Sequence, residues 1–387
     1  MDESVFQPAV DLIRSLYPGE DFIPLHRPFF GGREKQYVAE TIDSTYVSSV
    51  GEFVNRFEKE IAGFTGAQYA VAVVNGTSAL HISLLVAGVR QNDEVLSQAL
   101  TFIATANAIS YIGAKPVFID VDRDTMGMSP AALNAFLQAN AEIRADGHCY
   151  NKHSEKRISA CVPMHTFGFP LRIDQIRSVC DNWNITLVED AAESLGSYYK
   201  SRHTGTFGKI GVFSFNGNKT ITCGGGGAII TDDASVAHRL KHLTTQAKQP
   251  HKWEFVHDAV GYNYRMPNLN AALACAQLEQ LDAFVAGKRS VASRYKAFFT
   301  TQNHVTFAEE IAGAKANYWL NTLVLDSRDM RDDFLEFSNS RGVMTRPAWQ
   351  LMNRLAMFSD CEHDGLENSR FLADRIVNIP SSYTNAR

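Results

Sequence analysis

The chain has 387 residues, of which 45% are hydrophobic and 20% charged, and its 37 Lys and Arg against 42 Asp and Glu leave a formal net charge of −5. That length predicts a large domain with a smaller companion, and a charge balance without a basic stripe argues against a nucleic-acid partner. The opening MDESVFQPAVDLIRSLYPGED has no basic region leading into an apolar run, and no segment approaches the roughly 20 apolar residues that span a bilayer, so neither a secretory signal nor a membrane segment is expected.

From about 62 to 232 the pattern alternates apolar strands with helical stretches. AVAVVNGT (70–77) reads as a strand running into a turn, and SALHISLLVAGV (78–89) has helical spacing. EVLSQA (94–99) and PVFIDVD (116–122) read as further strands, with TFIATANAISYIG (101–113) as the helix between them. SACVPMH (159–165), ITLVED (185–190), GVFSF (211–215) and GAIITDD (227–233) continue the series. Near-continuous apolar strands separated by amphipathic helices predict an α/β fold with a parallel-rich sheet covered on both faces. Ligands of such sheets sit beyond the carboxyl ends of the strands. NLNAALACAQLEQLDAFVAGKRSVASRYKAFF (268–299) then reads as one long helical pattern. The remainder, with YWLNTLVL (318–325) and RDDFLEFSNSRGV (331–343), suits a smaller α+β domain. Cys149, Cys161, Cys180, Cys223, Cys275 and Cys361 are scattered without a C-x-x-C pair, so neither a metal site nor a disulfide framework is expected, and free thiols fit a cytoplasmic enzyme.

Four features fall at strand or helix ends, and each has two readings. Asn75-Gly76-Thr77-Ser78 offers helix N-terminal N–H groups to a phosphate, or is an ordinary capped turn. Asp190 and Glu193, closing the strand VED, would salt-bridge a protonated heterocycle nitrogen or merely cap a helix. Lys219, five residues after Ser214, is a Schiff-base amine if desolvated and otherwise a surface lysine. Asn263 and Arg265, in GYNYRMP, would reach a phosphate or an acidic substrate, or close off a helix start. Together with the aromatic helix start at Phe102, these residues supply what pyridoxal phosphate needs: donors for the phosphate, an anion for the ring nitrogen, an amine for the aldehyde and an apolar partner for the ring face.

The motifs NGTSAL, TFIATANAI, VEDAAESLG, FSFNGNK with its glycine run, and GYNYRMPNLNAALACAQL run in one order along most of the chain. In this they resemble the sugar aminotransferases of the DegT/DnrJ/EryC1/StrS family, a branch of the fold-type I pyridoxal-phosphate enzymes. The resemblance implies a large domain with a mixed, mainly parallel seven-stranded sheet between helices, plus a smaller C-terminal α+β domain. The implied divisions are an N-terminal extension over 1–30, a cofactor-binding domain over 31–265, and a linking helix with the small domain over 266–387. Residues 21–66 and 345–358 further resemble the LegC-type enzymes, which act on UDP-linked 4-keto-6-deoxy N-acetylhexosamines in legionaminic acid and bacillosamine biosynthesis.

Carried over by position, Lys219 matches the Schiff-base lysine and Asp190 the partner of the pyridinium nitrogen. Glu193 matches the residue beside the cofactor's 3-hydroxyl, often Gln or His in relatives. Gly76, Thr77, Ser78 and Ser214 match the phosphate site and Phe102 the ring-stacking aromatic. Asn263 matches a phosphate ligand given by a neighbouring subunit, which implies a homodimer with shared sites. His165 matches a position near the substrate, with a strand-end packing histidine as the alternative. Arg27, Arg265 and Arg346 are candidates for the nucleotide diphosphate, each with a solvated surface role as the alternative. The implied reaction takes an amino group from L-glutamate to the C4 ketone of a nucleotide-linked sugar. A dTDP- or GDP-linked keto sugar of perosamine type, or a non-catalytic regulator on the same fold, are the alternatives. A sugar 3-dehydratase would carry histidine at position 219. A nicotinamide oxidoreductase would need its glycines ahead of a helix, whereas Gly224–Gly227 precede a strand, where they are expected to leave room behind the lysine.

Overall fold

Every apolar run predicted as a strand between 70 and 233 joins one seven-stranded sheet. In chain order the strands are β1 (Tyr69–Val73), β2 (Glu94–Gln98), β3 (Lys115–Ile119), β4 (Ile158–Val162), β5 (Thr186–Asp190), β6 (Ile210–Ser214) and β7 (Gly227–Thr231). Their spatial order is β1-β7-β6-β5-β4-β2-β3. Neighbours from β6 through β5, β4 and β2 to β3 are parallel, while β7 runs antiparallel to both β1 and β6. The sheet is covered on both faces, which is why the sequence shows runs rather than alternation; all five residues of β2 and all five of β7 are buried. The computed structural model describes residues 6–384; residues 1–5 and 385–387, the outermost parts of the predicted N-terminal extension and C-terminal domain, lie outside the described residues.

Two helices on this sheet begin beside strand ends that matter below: α2 (Gly76–Val86) follows β1, and α3 (Ile103–Tyr111) follows β2. Helix α2 buries Ala79, Leu80, Ile82 and Leu84 together with His81 and Ser83, so it is enclosed on more than one side. Ahead of the sheet, α1 (Gln7–Leu16) places Val10, Ile13 and Leu16 in the core of the C-terminal region, and Phe6 meets the Phe334 ring edge-on at 5.3 Å. That region carries a second, antiparallel sheet of β8 (Val305–Phe307), β9 (Asn321–Leu325), β10 (Arg346–Pro347) and β11 (Ile376–Ile379), ordered β8-β9-β11-β10.

The long helical pattern at 268–299 forms two helices, α4 (Asn268–Leu278) and α5 (Leu281–Phe299), rather than one. At the break, the Glu279 carboxylate accepts hydrogen bonds from Tyr37, Arg33 and Arg56. Helix α5, about 28 Å long at 1.5 Å per residue, then crosses two cores. Leu281, Phe284 and Val285 pack with the large sheet's helices, and Val291, Tyr295 and Phe299 pack in the C-terminal core. It thereby fixes the C-terminal loops against the carboxyl ends of the large sheet.

Candidate active site

Three strand ends and the loops behind them enclose a cavity of about 330 Å³, lined by Gly76, Thr77, Phe102, Asp190, Glu193, Ser214, Lys219, Trp319 and Trp349 among others. The turn after β1 is shaped by Asn75, whose side-chain oxygen accepts the Ser78 N–H at 2.7 Å and caps α2. That bond occupies the Ser78 backbone, and Ser78 does not line the cavity. The first N–H groups of α2 remain available to an anion. Gly76 is required here, because a Cβ would come within 2.8 Å of the Ser214 Cβ, so only glycine lets the Ser214 hydroxyl stand against the helix start. The glycine run also presses on this same turn: a Cβ on Gly227 would lie 2.7 Å from the Asn75 carbonyl, while one on Gly226 would meet the Cys223 sulfur still more closely. Its crowding is thus against the anion-binding turn, with Gly226 packed on Cys223 and Met266, rather than behind the lysine.

Asp190 ends β5 with 3% of its surface exposed. Its Oδ2 accepts from the Thr105 hydroxyl at 2.6 Å and its Oδ1 from the Ala192 N–H at 3.1 Å. Burial raises its pKa, opposed by these two bonds and by the Lys219 charge, so a cationic partner would stabilise its ionised form. Glu193, equally buried, accepts the Phe167 N–H at 2.9 Å. Its other oxygen lies 3.2 Å from Lys219 Nζ. Burial lifts its pKa to about 7, although the nearby ammonium pulls it down.

Lys219 is held on two sides. Its Nζ sits 4.1 Å from the Trp319 ring centroid, and the Trp319 indole N–H donates to the Asn218 carbonyl at 2.7 Å, pinning the loop that carries the lysine. Asn317 is fully buried, and its amide donates at 2.9 Å to the Glu193 and Leu195 carbonyls, tying the acidic segment to the C-terminal region. Thr105, Asn317, Trp319 and Trp349 are the residues that motif reading passed over. A signal existed only for Thr105, which stands three positions after Phe102 and so on the same helix face.

Phe102 lines the cavity with 48% of its surface exposed, a large apolar face left open, and its ring stands 6.0 Å from Trp349. His165 is fully buried and outside the cavity lining. Its Nε2 pairs with Glu189 at 3.0 Å and its Nδ1 accepts the Leu171 N–H at 3.3 Å, so the structure gives it the strand-end packing role. Glu189 in turn accepts the Gly205 and Gly208 N–H groups. Arg27 lies on the surface, paired with Glu20 at 2.7 Å and apart from the cavity. Asn263 is exposed and outside the cavity. Arg265 lines a different hollow, with Tyr46, Arg56 and Asn268, where its Nε is sealed with no hydrogen-bond partner among the described residues. Arg346 lines a second chamber of about 450 Å³, which shares Asn218, Trp319 and Trp349 with the first and adds Leu25, His26 and Asn378.

The first chamber therefore offers an amine, a buried carboxylate and a helix start with a hydroxyl, on three strand ends around one space. The sequence profile of the DegT/DnrJ/EryC1/StrS aminotransferase family matches residues 29–385. The chain is 35% identical over 360 residues, 93% of either chain, to GDP-perosamine synthase of Escherichia coli O157:H7. It superposes on the aminotransferase TlmJ of Streptoalloteichus hindustanus with a TM-score of 0.84, 26% identity and 93% of each chain covered. With DesI, solved in the presence of its TDP-sugar product, the TM-score is 0.80 at 27% identity, over 93% of this chain and 88% of the other. The amine, carboxylate and helix start fit the aldehyde, ring nitrogen and phosphate of pyridoxal phosphate, and the chain belongs to the DegT/DnrJ/EryC1/StrS family of pyridoxal-phosphate-dependent aminotransferases.

Proposed function

We propose that this aminotransferase moves an amino group from L-glutamate to the C4 ketone of a nucleotide-linked 4-keto-6-deoxy sugar, with Lys219 and Asp190 as its catalytic pair. The observation that carries the reading is the convergence of Lys219, Asp190, Glu193 and the α2 start on one chamber that opens beside a second, larger one. Bound pyridoxal phosphate supplies an electron sink for the carbon that loses a proton. Lys219 would hold the cofactor through its amine, and its Nζ, when free, would remove the proton from the donor's α-carbon as general base. Asp190, oriented by Thr105 and Ala192, holds a proton on the ring nitrogen. The start of α2, with Gly76, Thr77 and Ser214, binds the phosphate, Ser78 serving through the cap that shapes the turn. Phe102 and Trp349 cover the ring face. Glu193, whose carboxyl burial lifts to about 7, stands 3.2 Å from Lys219 Nζ and accepts from the free amine group when ionised.

The second chamber receives the sugar, with Arg346 beside it for the diphosphate. Exposed Asn263 is a group that a second copy of the chain would engage, in keeping with a homodimer that shares its sites. Residues 21–66 and 345–358 favour a UDP-linked N-acetylated sugar; the 35% identity to GDP-perosamine synthase favours a GDP-linked one. The test is product analysis with UDP-, GDP- and dTDP-linked 4-keto-6-deoxy sugars and L-glutamate. A C4 amine formed with one equivalent of 2-oxoglutarate is expected from one nucleotide class. Failure with all three, by protein loaded with cofactor, would overturn the reading.

A further inference from the structure

His26 stands ahead of the matched family region, which starts at residue 29, yet it lines the second chamber with Leu25, Trp319, Trp349 and Arg346. Backbone pairing on both sides fixes its place. Ile23 donates to the Gly342 carbonyl at 2.8 Å and accepts from Met344 at 2.9 Å, while Leu25 accepts from Ser381 and Arg27 donates to the Ser382 hydroxyl, each at 2.8 Å. The ring is half-buried, and its Nδ1 is sealed with no hydrogen-bond partner among the described residues.

Burial first, and then the nearby Lys288 and Lys219 side chains, hold the His26 pKa well below its ordinary value, which favours the neutral ring. A sealed nitrogen without a partner is more cheaply kept as a lone pair than as an N–H. The hydrogen then sits on Nε2, which makes that atom a donor. Lys288, fully buried on α5, donates to the carbonyls of Trp319 and Ser381 and so fixes the wall around this ring. The chamber thus pairs a neutral donor with a cation, Arg346. An uncharged oxygen suits the imidazole, and a diphosphate suits the guanidinium.

We propose that His26 is a specificity-determining residue for the amino acceptor, donating a hydrogen bond to an uncharged oxygen of the sugar ring, a hydroxyl or an acetamido carbonyl, seated in the second chamber. The inference rests on the nucleotide-sugar reading and adds a contact that the family motifs do not contain. A site built around such a donor discriminates against analogues that lack the oxygen, because the buried donor is then left unpaired.

The test is calorimetric titration of the holoenzyme with unreactive nucleotide sugars, UDP-N-acetylglucosamine, GDP-mannose and dTDP-glucose, and with bare UDP, GDP and dTDP. Wild-type protein, His26→Ala, His26→Phe and His26→Gln are compared, with melting temperatures as the folding control. His26→Ala and His26→Phe should each weaken the preferred nucleotide sugar by about 10-fold and leave the bare nucleotide unchanged. His26→Gln, which keeps an N–H, should stay within about 3-fold of wild type. His26→Phe retains ring volume, so it reports even if the alanine variant is unstable. Unchanged sugar affinity in folded His26→Phe, or an equal loss for the bare nucleotide, would overturn the proposal while leaving the nucleotide-sugar reading intact. Wild-type protein that binds no nucleotide sugar would overturn both.

Discussion

The two chambers that meet at Trp319 and Trp349 are built on opposite plans. The first is assembled from strand ends of one sheet, and its polar groups are already engaged: Asp190 with Thr105 and Ala192, Glu193 with Phe167 and Lys219, Asn75 with Ser78. The second is assembled from segments near residues 25, 218, 319, 346 and 378; the His26 Nδ1 has no hydrogen-bond partner among the described residues, and the exposed Arg346 is anchored through Nη1 to Asn339 and the Thr345 carbonyl. A preassembled chamber suits a resident group that all turnovers share. A chamber with an exposed guanidinium and a neutral imidazole suits a ligand that must be chosen. On the proposed function, chemistry and selectivity would fall on either side of one tryptophan pair.

Substitutions on the two sides should divide in the same way, beginning with the largest effect. Lys219→Ala should cut turnover by about 10⁴-fold or more while the protein stays folded, read as 2-oxoglutarate release and melting temperature. Asp190→Asn should lower kcat/KM by about 10³-fold with little change in nucleotide-sugar affinity, a split that places its role on the chemical side.

Glu193→Gln tests the electrostatics of the first chamber through stability. The folded carboxyl titrates near 7 and the unfolded one near 4.5, so the folded state holds the extra proton between those values. Stability should therefore fall as pH rises from about 4.5 to about 7 and level off above, by at most about 3 kcal/mol. Urea melts of cofactor-free protein at pH 5 and pH 8 should show Glu193→Gln gaining on wild type at the higher pH.

Thr105→Val removes the hydroxyl donated at 2.6 Å to Asp190. The loss of one hydrogen bond to a charged group predicts about a 10-fold fall in kcat/KM. Arg27→Ala should do least. Its pairing with Glu20 is exposed and lies outside both chambers, so KM for the sugar nucleotide should stay within about 2-fold. A large Arg27 effect would break the division, because it would carry substrate contacts beyond the second chamber.

The same contrast explains what could be read from the sequence. Asp190, Ser214, Gly76 and Lys219 each sit within a few residues of a strand end, and short-range pattern suffices to place strand ends. All seven strands of the large sheet were legible for that reason. The split of the 268–299 pattern at Glu279 was not, because its carboxylate is bound by Tyr37, Arg33 and Arg56, which lie more than 200 positions away. Trp319 and Asn317 reach the site only because α5 docks the C-terminal region on the sheet, and nothing local in YWLNTLVL announces it. His165 has the right residue type after the right strand. Its pairing with Glu189, the residue just before Asp190 on the next strand and so on the opposite face, turns it into the core.

The claim on which both chambers depend is that the Lys219 amine carries the cofactor. Its most direct test is borohydride reduction of protein loaded with pyridoxal phosphate, followed by mass analysis of its peptides. The reduced cofactor should be found on Lys219 and be absent from Lys219→Ala treated in the same way. A label on another lysine, or a wild-type protein that takes up no cofactor and stays colourless, would contradict the claim.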